Sequence, residues 1–462
     1  MITYSIIQKS QLEGSKRMDA EYYQPEYLDL EKKFAKLETK TLEEVSKSVI
    51  SFGAYSLTSY IEWQESGVPY INVGDIHDGY IDFSGVKYIS EKVNEILKKS
   101  KVSDDQVLLS MAGTIGNAAV AYNIPQGANA NQAIAKITLS DTVPPHYLAA
   151  FFNSKYGLLQ TRREIVSSVQ ENIFLGSIKR FKIPIFNRNA INEIENSYKG
   201  FLKELESSKL FYSQAEDLLL EELGLKNFNG EENLWAVVNA SELKEAQRMD
   251  AEYFQGKYKK MIEIVKRKGE IKSLDDLFDF NRGIFISTDY YMQEKTVTPY
   301  IRIKELSEKG GINKGEIIYI NEKYEGKEKD KLKEKDLVMA IIGDTIGKTN
   351  KVDKELSGGY CSNNTGRLRI KKEWENKILP ECSELIFQSI LIQSQIEKKK
   401  AQTGQPKIND REIRSIIIPV LPKPIQQKIS DLVRRSHEAR KKAKELLDEA
   451  KRKVEELIEK GR

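Results

Sequence analysis

The chain has 462 residues, 40% of them hydrophobic and 31% charged, with a formal net charge of +4, so it can bury two or more ordinary cores and is too well mixed to be disordered. The mild basicity leaves any nucleic-acid contact to local patches rather than a global field. No apolar run reaches the length of a membrane span, residues 1–8 lack an export pattern, and Cys361 and Cys382 have no close Cys or His neighbour, so the expectation is a cytoplasmic protein without a disulfide framework or a zinc site.

In chain order, the first informative element is Arg17-Met18-Asp19-Ala20-Glu21-Tyr22. It returns letter for letter as Arg248-Met249-Asp250-Ala251-Glu252-Tyr253, 231 positions on, and 231 is half of 462. Pro69-Tyr70-Ile71 returns as Pro299-Tyr300-Ile301, Thr114-Ile115-Gly116 as Thr345-Ile346-Gly347, and Ile183-Pro184 as Ile418-Pro419. The chain is one unit written twice. Two copies are too few for a solenoid; approximate two-fold symmetry suits a two-fold partner such as a DNA duplex, and equally suits plain structural duplication.

Short apolar runs at 68–73, 106–111 and 135–139 predict strands, mirrored at 299–303, 316–320, 337–342 and 367–370. One helical pattern follows in each copy, over 147–165 and 384–400. The blocks therefore read as α+β. Each closes on a Pro-bounded strand and gives way to a long helix. In the first, Ile191, Ile194, Tyr198, Phe201, Leu205, Ser208, Tyr212, Ala215 and Leu219 keep a three-four spacing; in the second, Ile429, Leu432, Ser436, Ala439, Ala443, Leu446, Ala450 and Leu457 do so. The first seam is bulky and aromatic, the second small, so the two complement each other. A short linker after the first helix means that the second must run back along it, giving an antiparallel pair. Roughly 35 helical residues make a rod of about 50 Å, on the scale of one to one and a half DNA turns.

The Arg-Met-Asp-Ala-Glu-Tyr-Tyr-Gln-Pro run at 17–25, the Ser-Glu-Leu before Arg248, Gly53 and Gly283 ahead of the Pro-Tyr-Ile repeats, and Gly404-Gln405-Pro406-Lys407-Ile408 leading to Ile418-Pro419 resemble the specificity subunit of type I restriction and modification enzymes, over the whole chain. The first copy departs from the last pattern, with Val169-Gln170-Glu171-Asn172-Ile173 and no preceding Gly. The resemblance implies target-recognition domains at 1–187 and 234–423, spacer helices at 188–224 and 424–462 that form an antiparallel coiled coil, and a linker at 225–233. It implies a non-catalytic subunit in which each domain reads one half of a split site in double-stranded DNA. By the same resemblance the partners are two methyltransferase subunits using S-adenosylmethionine and motor-nuclease subunits using ATP and Mg, with no cofactor on this chain. The alternatives are a duplicated protein scaffold without sequence readout, or an enzyme in its own right.

The repeated hexapeptide cannot distinguish two half-sites, so a structural or docking role is expected for it; sequence reading belongs where the copies differ. Basic clusters at Arg162, Arg163, Lys179, Arg180, Lys398, Lys399 and Arg411 are candidates for phosphate contact, although cations at helix ends also complement the helix dipole. Polar residues Asn131, Gln132, Gln170, Asn172, Asn363, Asn364, Gln405, Lys407 and Asn409 are candidates for base reading; amides suit adenine and also suit turns. Gly343-Asp344-Thr345-Ile346-Gly347-Lys348-Thr349 has three residues between its glycines where a phosphate loop needs four, so a strand-to-strand turn is expected. Pro144-Pro145-His146-Tyr147 lacks the preceding Asp, Asn or Ser of an amino-methyltransferase motif and is expected to start a helix. His77, His146 and His437 have no catalytic or metal spacing.

Overall fold

The computed structural model describes residues 4–10, 12, 17–51, 60–125, 127–166, 171–230, 237–246, 248–292, 298–309, 311–400 and 406–461. The chain divides into two compact units, residues 1–204 with 442–462, and residues 205–441.

The first unit runs through α1 (Pro25–Phe34), β1 (Thr39–Thr41), β2 (Ser46–Ile50), β3 (Trp63–Gln64), β4 (Val68–Ile71), β5 (Lys87–Ile89), α2 (Glu91–Ile96), β6 (Val107–Ser110), β7 (Ala118–Val120), β8 (Asn129–Ala130) and β9 (Ile134–Leu139). It continues with α3 (Pro145–Asn153), α4 (Lys155–Arg163), α5 (Leu175–Lys179), β10 (Lys182–Pro184) and the start of the long α6 (Arg188–Leu223). One sheet has the order β2-β9-β6-β7 and is antiparallel; a second has the order β3-β5-β4-β8, with β4 and β8 parallel; β1 pairs with β10. Central strands such as β6 are buried along their whole length, which is why they read as unbroken apolar runs rather than an alternation. Ile71, Leu108, Ala119, Ala130 and Ile134 form a small core joining strands of the two sheets.

The second unit repeats this wiring. After α7 (Ala240–Ala246) and α8 (Gly256–Lys268) come β11 (Glu270–Ser273), α9 (Leu274–Leu277), β12 (Phe278–Arg282), β13 (Tyr291–Met292), β14 (Thr298–Ile301), β15 (Ile318–Ile320), β16 (Leu337–Ala340), β17 (Thr349–Lys351), β18 (Tyr360–Cys361) and β19 (Thr365–Ile370). Then follow α10 (Pro380–Gln388), α11 (Ile390–Lys399), α12 (Asp410–Arg414), β20 (Ile417–Val420) and the long α13 (Lys423–Lys460). The sheet orders β12-β19-β16-β17 and β13-β15-β14-β18, and the pair β11-β20, match the first unit strand for strand, including the parallel contact of β14 with β18. Among the described residues no helix is long and apolar enough to cross a membrane.

The single helix expected in each copy is two. Ser154 and Ser389 are extended, with ψ of 162° and 158°, and break the runs after Asn153 and Gln388. Each Ser hydroxyl donates to the carbonyl three residues back, at 2.6 Å, which offers the backbone an alternative to the helical bond. In the first copy the turn also requires a glycine at 157, since a Cβ there would lie 2.1 Å from the Phe151 carbonyl oxygen.

The two long helices pack antiparallel within each unit. In the first, Glu193 faces Lys453 and Glu204 faces Lys442; in the second, Ser208 and Ser436 share a buried hydroxyl contact of 3.1 Å and Arg435 stacks on Phe211. Ile194, Tyr198, Phe201, Tyr212, Leu219, Ile429, Ala439, Ala443 and Ala450 are buried. Leu205, Leu432, Leu446 and Leu457 are only half-buried, and on α13 the inner positions beside the last three belong to Val433, Leu447 and Ile458. The seam is not a bare heptad because α13 also packs on the first block: a Cβ at Gly79 would lie 3.0 Å from both Leu447 and Phe201. Leu446 turns to the flank, against Gly200.

The turn at Gly79, with φ of +86°, is tied to the helices by the Tyr198 hydroxyl, which donates to the Gly79 carbonyl at 2.6 Å, and by Lys451 to Asp78 at 2.7 Å. Tyr198 is fully buried, so removing its hydroxyl leaves the carbonyl without that donor. Tyr198→Phe is expected to lower stability by about 1–2 kcal/mol, read as a shift of the urea midpoint with unchanged slope.

Candidate nucleic-acid interface

The repeated hexapeptide folds into the same clamp in both units. Arg17 grips Asp19 through two hydrogen bonds of 2.6 Å, and Arg248 grips Asp250 through bonds of 2.8 and 2.7 Å. Each arginine also lies over the tyrosine at the end of its motif, Arg17 at 4.8 Å from the Tyr22 ring centre and Arg248 at 4.7 Å from that of Tyr253. A second cation from α4 or α11 covers the same ring: Arg163 over Tyr22 at 4.1 Å, and Lys398 over Tyr253 at 4.5 Å. The motif fastens the start of each copy to a helix, as a structural role requires.

This clamp accounts for the first of the two basic zones that the copies share. Arg163 further pairs with Glu31 at 2.6 Å, and burial together with the neighbouring Lys399 lowers the Lys398 ammonium below its ordinary range. The second zone, before the closing strand, is also engaged: Lys179 pairs with Glu43 at 3.3 Å and Arg414 with Asp275 at 2.5 Å. Lys399 reaches Glu412 at 3.0 Å and the Ser415 hydroxyl at 2.6 Å. Shared cations thus do intramolecular work. The cations without a counterpart are different: Arg162, Lys407 and Arg411 are exposed and have no acidic partner among the described residues, and exposed Arg180 contacts only the Ser177 hydroxyl.

The amide candidates gather at one loop cluster per unit. In the first, the end of β6 lies between the turn at Asn131 and the segment at Asn172: Met111 donates its N–H to Ala133 and accepts one from Ile173, and Ala112 bridges Asn172. In the second, Ile341 donates to Asn364 and accepts from Ile408, and Ile342 bridges Lys407. Asn131 and Asn409 hold local structure, accepting from Ala133 N–H at 2.8 Å and Glu412 N–H at 2.9 Å. Gln132 is half-buried, while Asn363 and Asn364 project from an exposed turn. Gln170 and Gln405 lie outside the described residues, as do Gly53 and Gly404.

Two exposed aromatics at these clusters were not expected from the sequence. Phe174 follows Ile173, and Phe285 follows Ile284, which bridges Ser362 beside the Asn363 turn. The usable signal was Gly283: a Cβ there would meet the Ser362 carbonyl at 2.2 Å, so the glycine marks a close backbone approach at the cluster.

The remaining motifs are architectural. The stretch 341–348 joins β16 to β17 as a turn, and Gly347, with φ of +94°, packs on α11 as Gly116, with the same φ, packs on α4. Pro145 opens α3, and the buried Tyr147 hydroxyl donates to Pro184 at 2.7 Å. His77 stacks on Tyr80, His146 packs edge-on against Tyr198, and His437 lies 3.8 Å from Glu384. No group of His, Cys, Asp and Glu among the described residues could hold a metal.

The family model described as "Type I restriction modification DNA specificity domain" matches residues 35–193 and 266–447, once in each copy. No curated protein matches the chain in sequence. Similar solved structures include a type-I restriction-modification system S subunit from M. genitalium, 14% identical over 92% of this chain and 95% of that chain at a TM-score of 0.45. Another is the HsdS subunit from Thermoanaerobacter tengcongensis, 12% identical over 92% of this chain and 96% of that chain at a TM-score of 0.29.

The clamp has a pH signature. Hydrogen bonds from Arg17 and Arg248 hold the Asp19 and Asp250 carboxyls below the usual aspartate range. A depressed carboxyl contributes stability above its unfolded value and loses it as pH falls through its folded one. Asp19→Asn and Asp250→Asn are each expected to cost under about 1 kcal/mol near neutrality, because the pairs are partly solvated. The difference from the unaltered chain should close as pH falls well below about 3.9, measured by urea unfolding across that range.

Proposed function

The chain belongs to the type I restriction modification DNA specificity family, and from that premise we propose that it is the non-catalytic subunit that reads a bipartite DNA site, one half per unit. The observation that carries this reading is the contrast within the duplication. Sheets, clamps and buried cations coincide between the copies, whereas the loop cluster carries Asn131-Gln132-Ala133 and Asn172 in one and Ser362-Asn363-Asn364 and Lys407 in the other. Two different half-sites need one scaffold with two different sets of donors and acceptors.

Within the clusters, Gln132, Asn172, Asn363 and Asn364 are the proposed base readers, supported by their place beside the β6 and β16 ends. Arg162, Arg180, Lys407 and Arg411 are the proposed phosphate contacts, supported by their exposure and by the absence of counterpart cations in the other copy. Phe174 and Phe285 offer apolar faces for a thymine methyl or an unstacked base. Partner subunits, following the resemblance, are two methyltransferase subunits using S-adenosylmethionine, joined by motor-nuclease subunits using ATP and Mg for cleavage. The antiparallel helices are the proposed spacer between half-sites.

Exchange of residues 1–187 for those of a related chain is expected to change one half of the methylated sequence and keep the other, read by genome-wide mapping of modified adenines. If both halves persist, the domain-wise reading is wrong; if sequence-dependent binding is absent while the complex still assembles, the chain is a scaffold instead. Within the assembled complex, Arg162→Ala and Arg411→Ala are each expected to weaken DNA binding evenly across sequences and to reduce the slope of log affinity against log salt by about 1, measured by titration at several salt concentrations.

A further inference from the structure

The turn at 341–348 in the second unit carries one residue that the first unit lacks. Up to Gly113 and Gly343 the copies align at an offset of 230, and from Thr114 and Thr345 onward at 231, so Asp344 is an insertion. The geometry agrees with that alignment. Both glycines have positive φ, +66° and +89°, and the residue before each bridges the segment opposite, Ala112 to Asn172 and Ile342 to Lys407. Gly113 runs straight into Thr114, yet the first turn still closes, its Gly116 N–H donating to Ser110 as Gly347 N–H donates to Ala340. The fold has no need of Asp344.

Aspartate is common in turns because its carboxylate accepts nearby backbone N–H groups. Asp344 is exposed, and its carboxylate has neither a hydrogen-bond donor nor a cation among the described residues. Its backbone, by contrast, is held on both sides. Gly343 N–H donates to the Pro406 carbonyl at 2.9 Å, Ile346 N–H to the Gly343 carbonyl at 3.3 Å, and Gln393 Nε2 from α11 to the Gly347 carbonyl at 3.1 Å. Ile341 N–H, donating to the Asn364 carbonyl at 3.0 Å, ties this turn to the one that bears Asn363. A bare carboxylate on a fixed backbone, inside the loop cluster, is preorganised to accept a hydrogen bond from another molecule.

We propose that Asp344 reads a cytosine in the half-site of the second unit, accepting a hydrogen bond from the 4-amino group of the base in the major groove. The proposal rests on the specificity reading above. The choice of base follows from the groove edges. Guanine shows two acceptors there and thymine an acceptor beside its methyl, and both repel a carboxylate. Adenine sets its amino donor next to the N7 acceptor, which suits an amide with both functions. Of the four bases, only cytosine offers a donor without an adjacent acceptor. Phosphates also repel a carboxylate, which leaves a base edge as its place, and exposed Lys407 across the bridge from Ile342 offsets that repulsion.

The test uses the full chain in its complex with the methyltransferase subunits, with modified adenines mapped genome-wide and affinity measured on duplexes that differ at one base pair. In the half-site that survives exchange of residues 1–187, the unaltered chain is expected to require one cytosine, and replacing that base pair should weaken binding at least about tenfold. Asp344→Ala, and deletion of Asp344, which restores the turn length of the first copy, should accept any base there. Their preference between the two duplexes should fall below about twofold, with the other half-site and the urea midpoint unchanged. The proposal is overturned if the half-site of the second unit requires no cytosine, if both variants keep the unaltered preference, or if the relaxation falls in the half-site of the first unit. Variants that release a partner subunit while keeping the base preference would assign Asp344 to a protein contact and reject the readout. A complex of the unaltered chain that binds and methylates without sequence preference would overturn the specificity reading itself.

Discussion

The seam between α6 and α13 is the interaction on which both units depend, because each unit takes part of its core from both long helices. In the first, Tyr198 and Phe201 from α6 and Leu447 from α13 converge on the Gly79 turn. In the second, Tyr212, Ala215, Leu219 and Leu223 from α6 and Ile429 and Val433 from α13 belong to the same buried cluster as the strands and α10. The first unit therefore needs residues 442–462, which lie far along the chain from its other part. Contacts of such sequence separation are slow to form, since their loop closure precedes their reward. The coiled coil is a structural wall of each unit before it is anything else.

Duplication supplies an internal control that a single domain lacks. Where the copies agree, the structure gives a local reason: Arg163 and Lys398 cover equivalent tyrosines, and Lys136 and Arg367, also equivalent, are buried and donate to backbone carbonyls, Lys136 to Lys99 at 2.9 Å and Arg367 to Lys329 at 2.6 Å. Where they disagree without any loss of fold, the residues are released from such duties, as at Arg162 and Arg411.

Much of this architecture was legible in the sequence, because strands buried on both faces leave unbroken apolar runs and long seams leave periodic ones. Partnering was not legible. Charge clusters at 162–163, 179–180 and 398–400 looked equivalent as text, yet Arg163, Lys179 and Lys399 pair with Glu31, Glu43 and Glu412, which lie far away in the chain for the first two. The helix breaks at Ser154 and Ser389 escaped notice because apolar periodicity continues across them while one hydroxyl redirects the backbone. Leu432, Leu446 and Leu457 lie half-buried at the edge of the seam, beside the buried Val433, Leu447 and Ile458, for a related reason. A three-four spacing locates a stripe to within one residue, and the second packing surface decides which edge of it is buried.

If the helices act as a spacer, their geometry restricts how that spacer can vary. One inserted residue lengthens a helix by about 1.5 Å but turns every later side chain by about 100°, which would expose Leu447 and bury its charged neighbours. Only insertions near whole turns keep the seam, and both helices must change together, since each buries one side of it. Four residues per helix give about 6 Å with roughly 40° of excess rotation, whereas seven give about 10 Å with only about 20°. The spacing would therefore change in steps of about two or three base pairs, while the residues at each loop cluster remain free to diverge one at a time. Sequence preference and half-site separation would then evolve independently, because they reside in parts of the chain with opposite tolerance for change.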